Sequence, residues 1–183
     1  MQNTKKVEYS AKLKKFYSTI MSAVRLSEIE TGIPADEWDG SDSTGEITSQ
    51  HPEAEGWADL IYFYKYIAKH IRYSKTSRYG DSSWDKNMNL GLYNVYLDDG
   101  IVLAIDYNNV SFFVDLNGSK GPNKPARDQF EFGMLPNYPF RTTASRESVL
   151  KDCRGDDVLS EWSCSTLLLI DNFEFKDDYP YRL

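Results

Sequence analysis

The fold of this chain depends on the stretch Phe112–Phe132, FFVDLNGSKGPNKPARDQFEF. It opens with an apolar run that is typical of a buried or half-buried strand, and it ends on an alternating segment, Gln129–Phe132, that predicts another short strand. Glycines and prolines between these runs exclude regular structure: Gly118, Gly121, Pro122 and Pro125. The sequence therefore predicts two strands joined by an irregular loop.

The side chains of this loop are mostly oxygen-bearing, which suggests a cation site. Calcium takes about six to eight oxygen ligands in flexible geometry, and the glycines would let backbone carbonyls turn inward. The candidate ligands are Asp115, Asn117, Ser119, Asn123 and Asp128. The spacing is not that of an EF-hand, because Gly118 comes too early and no glutamate closes the loop. A turn held by Asp and Asn side chains, with Asp128 capping it or pairing with Arg127, is the alternative.

Two helices are predicted before the β region. Between Lys5 and Glu30, apolar residues recur at three- and four-residue steps while lysines fill the opposite face, and Gly32 ends this helix. Residues 32–56 are polar and predict a connecting loop. Trp57 to about Tyr73 forms a second helix with a broad aromatic face. The stripe of the first helix consists of Tyr9, Leu13, Phe16, Tyr17, Ile20 and Val24.

The β region is expected from Gly91 onward, after a loop over residues 74–90. Asp98-Asp99-Gly100 between two apolar runs is a strong hairpin signal. Residues 133–152 are expected to be irregular. The predicted strands are Leu92–Leu97, Ile101–Ile105, Val110–Val114 and Gln129–Phe132, with Leu167–Ile170 and Phe173–Phe175 closing the chain as one strand or a broken pair.

These elements predict one α+β domain over residues 1–183: a long N-terminal helix packed on an antiparallel sheet of about four strands, with a second helix at the side. The formal net charge of −7 argues against a nucleic-acid binder. The charge is uneven, because the first 25 residues carry six Lys and Arg side chains against Glu8 alone.

The two cysteines, Cys153 and Cys164, are close in sequence and predict a small disulfide loop formed in an oxidising compartment. Two unrelated thiols are the alternative. Trp162, inside the predicted disulfide loop, is expected to pack onto the end of the sheet. No nucleophile motif or distinct pair of carboxylates indicates an active site, so we expect a protein that is not an enzyme.

Val114–Phe132 resembles the Asp-x-Asn-Gly-x-x-Gly-Pro-Asn-x-x-x-x-Asp-x-Phe segment of a group of bacterial type IV pilin and type II secretion pseudopilin-like proteins. Ala126 replaces the glycine that these proteins usually have. The ending, Cys164–Ile170 and then Phe173–Pro180, resembles their C-terminal strand. The resemblance divides the domain into the C-terminal half of a spine helix (5–30), a variable connection with the second helix (32–90), and a region with the sheet, the ion loop and the disulfide (91–183).

The resemblance implies a structural subunit of a type IV pilus or a type II secretion pseudopilus. Its partners would be other pilin subunits and the assembly machinery. Assembly would use an N-terminal hydrophobic helix that this sequence lacks, which would anchor the subunit in the inner membrane before it joins an extracellular or periplasmic fibre. One alternative is an extracellular binding module, such as a minor tip pilin or adhesin, that recognises a glycan or protein through the aromatic helix or residues 32–56. A hydrolase with convergent carboxylates is another.

Overall fold

A long helix, α1 (Gln2–Thr31), begins the chain and packs on an antiparallel sheet. The computed structural model describes residues 2–77, 93–108, 111–118, 120–133, 145–155 and 158–183. The predicted first helix is confirmed, because its stripe is buried: Tyr9, Leu13, Phe16, Ile20 and Val24. Gly32 ends the helix with a φ of +69°, and its N–H bonds to the Glu28 carbonyl at 2.9 Å.

The connection from α1 to the sheet contains short helical segments rather than a continuous loop. These are the 3-10 turns Ala35–Glu37 and Pro52–Ala54 and helix α2 (Glu46–Gln50). The predicted second helix is present but ends earlier than expected. It consists of α3 (Ala58–Tyr62), a π-helical turn (Phe63–Ile67) and a 3-10 turn (Ala68–His70). Its aromatic side chains are largely buried, and Tyr66 stacks on Trp38 with ring centroids 4.4 Å apart.

The sheet has five strands in sequence order, so the prediction of about four strands was one too low. The strands are β1 (Tyr73–Ser77), β2 (Asn94–Leu97), β3 (Val102–Asp106), β4 (Ser111–Asp115) and β5 (Gln129–Gly133). The additional strand is β1, which begins at Tyr73, at the end of the predicted second helix, and continues into residues that we expected to be a loop. It is a polar edge strand that pairs with β2, and its few apolar residues leave no alternating pattern. Residues 78–92 lie outside the described part of the chain.

The C-terminal region is helical where the sequence predicted irregular structure and strands. Helix α4 (Arg146–Cys153) begins within residues 133–152 and ends one residue beyond them, and Ser145 caps it by accepting the Ser148 N–H at 3.2 Å. Helix α5 (Val158–Ile170) includes Leu167–Ile170, and Phe173–Phe175 forms no strand. A short apolar run fits a buried strand and a buried helix equally well, which explains the wrong assignment.

Helices cover both faces of the sheet. Neighbouring residues of β4 point to opposite faces. Phe112 meets Phe16 of α1 in an edge-to-face contact at 5.4 Å, and Phe113 meets Trp162 of α5 at 5.3 Å. Trp162 therefore packs on the face of the sheet, at the middle of β4, and not at the end of the sheet as we expected. The two-sided cover explains why all of β4 is buried. Among the described helices, none has a stretch long and apolar enough to cross a membrane.

Candidate functional site: the loop between β4 and β5

Two buried carboxylates hold the ends of the loop between β4 and β5. Asp115 accepts the Asn117 N–H at 3.1 Å through one oxygen and the Gln129 side-chain amide at 3.0 Å through the other. Asp128 accepts the N–H groups of Asn123 at 2.9 Å and Lys124 at 2.8 Å. Each carboxylate oxygen thus receives a hydrogen bond from the loop or from β5. This is the hydrogen-bonded turn that we considered as the alternative to a cation site.

Two asparagines of the loop, Asn117 and Asn123, have side-chain oxygens that accept no hydrogen bond from the described residues. The Asn117 amide nitrogen donates to the carbonyls of Lys120 and Gly121, the latter at 3.2 Å. The side-chain oxygens of Asn117 and Asn123 are enclosed and have no hydrogen-bond partner among the described residues. Buried acceptors are normally satisfied. These two oxygens are therefore the acceptors that remain open for a cation or water.

Among the loop residues that the structure describes, two that are not glycine have a left-handed backbone: Asn123 (φ +51°) and Ala126 (φ +61°). This conformation is costly for alanine because of its Cβ atom, and glycine adopts it freely. Ala126 is also tied down, because its N–H bonds to the Gln129 carbonyl at 3.0 Å and its carbonyl accepts the Tyr179 hydroxyl at 2.7 Å. The geometry explains why glycine suits this position.

Helix α1 brings a positive charge to the loop. The Lys12 ammonium donates to the Leu116 carbonyl at 3.2 Å and pairs with Glu8 at 3.2 Å. Nearby, burial raises the pKa of Tyr9 to about 12, with further increases from the charges of Asp128, Glu8 and Asp115. The charges of the two loop carboxylates therefore act on one region beside α1, where Lys12 pairs with Glu8.

The predicted ligands lie in one loop, but calcium binding stays a prediction. The structure describes Asp115, Asn117, Asn123 and Asp128, and Ser119 lies outside the described residues. Within the described ranges, no group of three or more His, Cys, Asp or Glu side chains is placed to hold a metal ion. An ion here would depend on amide and carbonyl oxygens with only two carboxylates, and fewer charged ligands favour weak binding.

The C-terminal tail, residues 171–183, covers the loop. Phe175 contacts Phe130 edge-to-face at 6.0 Å, and the Arg127 guanidinium lies 4.9 Å from the centre of the Tyr181 ring. Arg146 of α4 holds the start of the tail by bonding to both Asp171 and Asp178 at 2.7–2.8 Å. Sequence analysis missed Arg146, Lys12 and Tyr179. Their partners are distant in the chain, and no local pattern indicates such contacts.

The predicted disulfide between Cys153 and Cys164 is present and joins α4 to α5. Its sulfur atoms are buried in the core. Because α4 carries Arg146 and α5 leads directly into the tail, the disulfide fixes the two helices that set the position of the tail.

These features define an α+β protein in which a long helix and an antiparallel sheet support the loop between β4 and β5. Hydrogen bonds to Asp115 and Asp128 hold this loop in shape. A model of a family of unknown function (DUF6613) matches residues 1–149, and the chain belongs to this family. The match includes α1, the sheet and the loop, and it ends within α4. No curated protein and no solved structure matches the chain.

Proposed function

We propose that this chain is the globular part of a structural fibre subunit of the type IV pilus or type II secretion pseudopilus kind. The observation that carries the proposal is the arrangement around α1. A helix of 30 residues buries one stripe on a sheet whose strands follow in sequence order. The β4–β5 segment that resembles pilin-like proteins is fastened to this helix through Lys12.

The contacts that hold the β4–β5 loop and the C-terminal tail support a mechanical role. The loop is tied by Asp115 and Asp128, covered by the tail, and connected to α4 and α5 through Arg146 and the disulfide. In a fibre, this network would resist shear and proteolysis, because local opening would require several buried contacts to break together. Calcium in the loop would add a further restraint.

The burial of the aromatic side chains favours this role over an extracellular binding module. A glycan-binding surface would present exposed aromatic rings around a concave pocket. Instead, Tyr62, Phe63 and Tyr66 of the second helix are at most 2% exposed and belong to the core. Their packing removes three aromatic rings of this helix from the surface that the binding-module alternative would use.

The experiment that tests this proposal is N-terminal sequencing and intact-mass measurement of the protein from its native source. We expect a mature chain that starts in an apolar helix about 20 or more residues upstream of Gln2. We also expect this chain in the fraction of filaments sheared from cells, or in periplasmic filaments after secretion genes are overexpressed. A native chain that begins at Met1 and stays out of every filament fraction would reject the fibre role.

A further inference from the structure

A groove of about 510 Å³ lies between the first turns of α1 and the C-terminal tail. Val7, Ala11 and Lys14 line it on the helix side, and Glu174 and Phe175 line it on the tail side. Val7 is 70% exposed at its rim. Lys14 and Glu174 make no ion pair within the described part of the chain. The groove thus combines apolar surface with one charge of each sign that lacks a partner.

The opposite end of α1 and the residues just after it carry three exposed apolar side chains, which we call the ridge: Leu26, Ile29 and Ile33, which are 48%, 78% and 39% exposed. Asp36 and Glu37 lie beside this ridge, because the Glu28 carboxylate accepts the Ala35 N–H at 2.9 Å and holds the next turn against the helix end. Both acidic side chains are exposed, and neither forms an ion pair among the described residues. The ridge is a protruding apolar surface with unpaired negative charge.

The segments that carry the groove and the ridge differ in charge. Residues 1–25 contain six Lys and Arg against Glu8, whereas residues 26–64 contain ten Asp and Glu and neither Lys nor Arg, and two of these acids, Glu30 and Asp39, pair with Lys69 and Lys65. At a rise of about 1.5 Å per residue, Lys5 and Glu28 are about 35 Å apart along α1. Unlike charges on the groove and the ridge favour contact between these two surfaces of different copies.

We propose that the ridge of one copy of this chain docks into the groove of the next copy. Asp36 and Glu37 of the first copy then face Lys14 of the second, and Arg25, which is exposed beside the ridge, faces Glu174. The two surfaces are different, so the contact is head-to-tail and leaves one ridge and one groove free at the ends of each pair. Repetition builds an open filament when the rotation between successive copies does not close a ring. The inference rests on the proposed function, for which it names the contact between successive subunits.

The test is zero-length cross-linking of lysine to carboxylate with a carbodiimide, on a mixture of isotope-labelled and unlabelled chain, read by mass spectrometry. We expect an amide between Lys14 and Asp36 or Glu37 that joins labelled to unlabelled copies. Lys14 and Glu28 are about 21 Å apart along the axis in one copy, so this link requires two copies. The ion pair of Lys15 with Asp99, at 2.9 Å, gives the internal control for the chemistry.

A variant in the ridge separates docking from random collision. Ile29→Ser leaves Lys14, Asp36 and Glu37 in place, and we expect it to lower the yield of the intermolecular link about tenfold, since burial of an isoleucine side chain contributes at least that much. Ile170→Ser makes the same change at another exposed position, on α5, and should leave the yield unchanged. One-molar salt should abolish the link, because the screening length falls to about 3 Å.

The inference is overturned if the Lys15–Asp99 link forms but no Lys14 link does, or if Ile29→Ser leaves the yield unchanged. These outcomes are distinct from failure of the fibre role. A processed subunit in native filaments without this link keeps the fibre role and rejects the contact. A native chain that begins at Met1 and still forms the link keeps the contact as self-association and rejects the fibre role.

Discussion

The fastening of the tail by Arg146 leads to a specific prediction about stability. Arg146 makes four hydrogen bonds of 2.7–2.8 Å to the carboxylates of Asp171 and Asp178. The Asp171 side chain is only 3% exposed and has Lys176 as its other cation at 2.7 Å. Arg146→Ala therefore leaves the buried Asp171 carboxylate with one of its two cationic partners. Arg154→Ala is a matched control, because it removes only one exposed hydrogen bond to the Asp178 carbonyl.

We expect Arg146→Ala to lower the free energy of unfolding by about 2 kcal/mol, less than for a fully buried pair because the arginine is partly exposed. At this chain length, the loss corresponds to a decrease in Tm of about 4–8 °C. Arg146→Lys should recover less than half of it, since lysine cannot bond to two carboxylates in the same plane. Arg154→Ala should change the stability by less than about 0.5 kcal/mol.

The decrease in the free energy of unfolding caused by Arg146→Ala should also depend on pH. Burial acts to raise the pKa of Asp171, yet the bonds from Arg146 and Lys176 bring it below its usual value, and the Arg146 bonds lower the pKa of Asp178. Carboxylates with a lowered pKa stabilise the fold above their unfolded-state pKa, and this stabilisation is lost as the pH falls through the folded-state pKa. Urea unfolding followed by circular dichroism should show the full difference at pH 7 and a smaller one below about pH 4. A variant as stable as the parent at pH 7 would refute this reasoning.

Four further predictions concern the loop, the disulfide and a half-buried acid, Asp59. Millimolar calcium should raise Tm and excess chelator should lower it, since a ligand that binds the folded state stabilises it; identical melting curves in both would contradict the ion site. Reduction of Cys153–Cys164 should cost about 2–3 kcal/mol, whereas two free thiols titrated in the unfolded protein would contradict the bridge. Ala126→Gly should be close to neutral in urea unfolding, because relief of the left-handed backbone offsets the usual cost of about 1 kcal/mol that Ala11→Gly should show. Burial raises the pKa of Asp59 from 3.8 to about 6, so its charge opposes folding increasingly as the pH rises through that window. Asp59→Asn should therefore stabilise by about 1–2 kcal/mol at pH 7 and by nothing below about pH 4, and a gain that does not change with pH would contradict this assignment.

Local patterns were sufficient for much of the fold. The stripe of α1, the Asp98-Asp99-Gly100 hairpin and the strands on both sides of the loop were predicted correctly, because each depends on the periodicity of a short segment and on turn residues. The disulfide was predicted from spacing alone. The four predicted ligands that the structure describes lie in one loop because they are neighbours in sequence, and this placement needs no tertiary contact.

Other features depend on contacts between distant segments, and no local pattern predicts them. Leu167–Ile170 is helical because α5 packs on the face of β4 opposite α1, and β1 is a strand because β2 offers a free edge. Asp115 could bind an ion or accept hydrogen bonds from the protein. Which of these it does depends on Gln129, which donates to it, and on the position of α1 beside the loop. A short segment determines its own periodicity, whereas the partners of its polar atoms and the face that it buries are set by the rest of the chain.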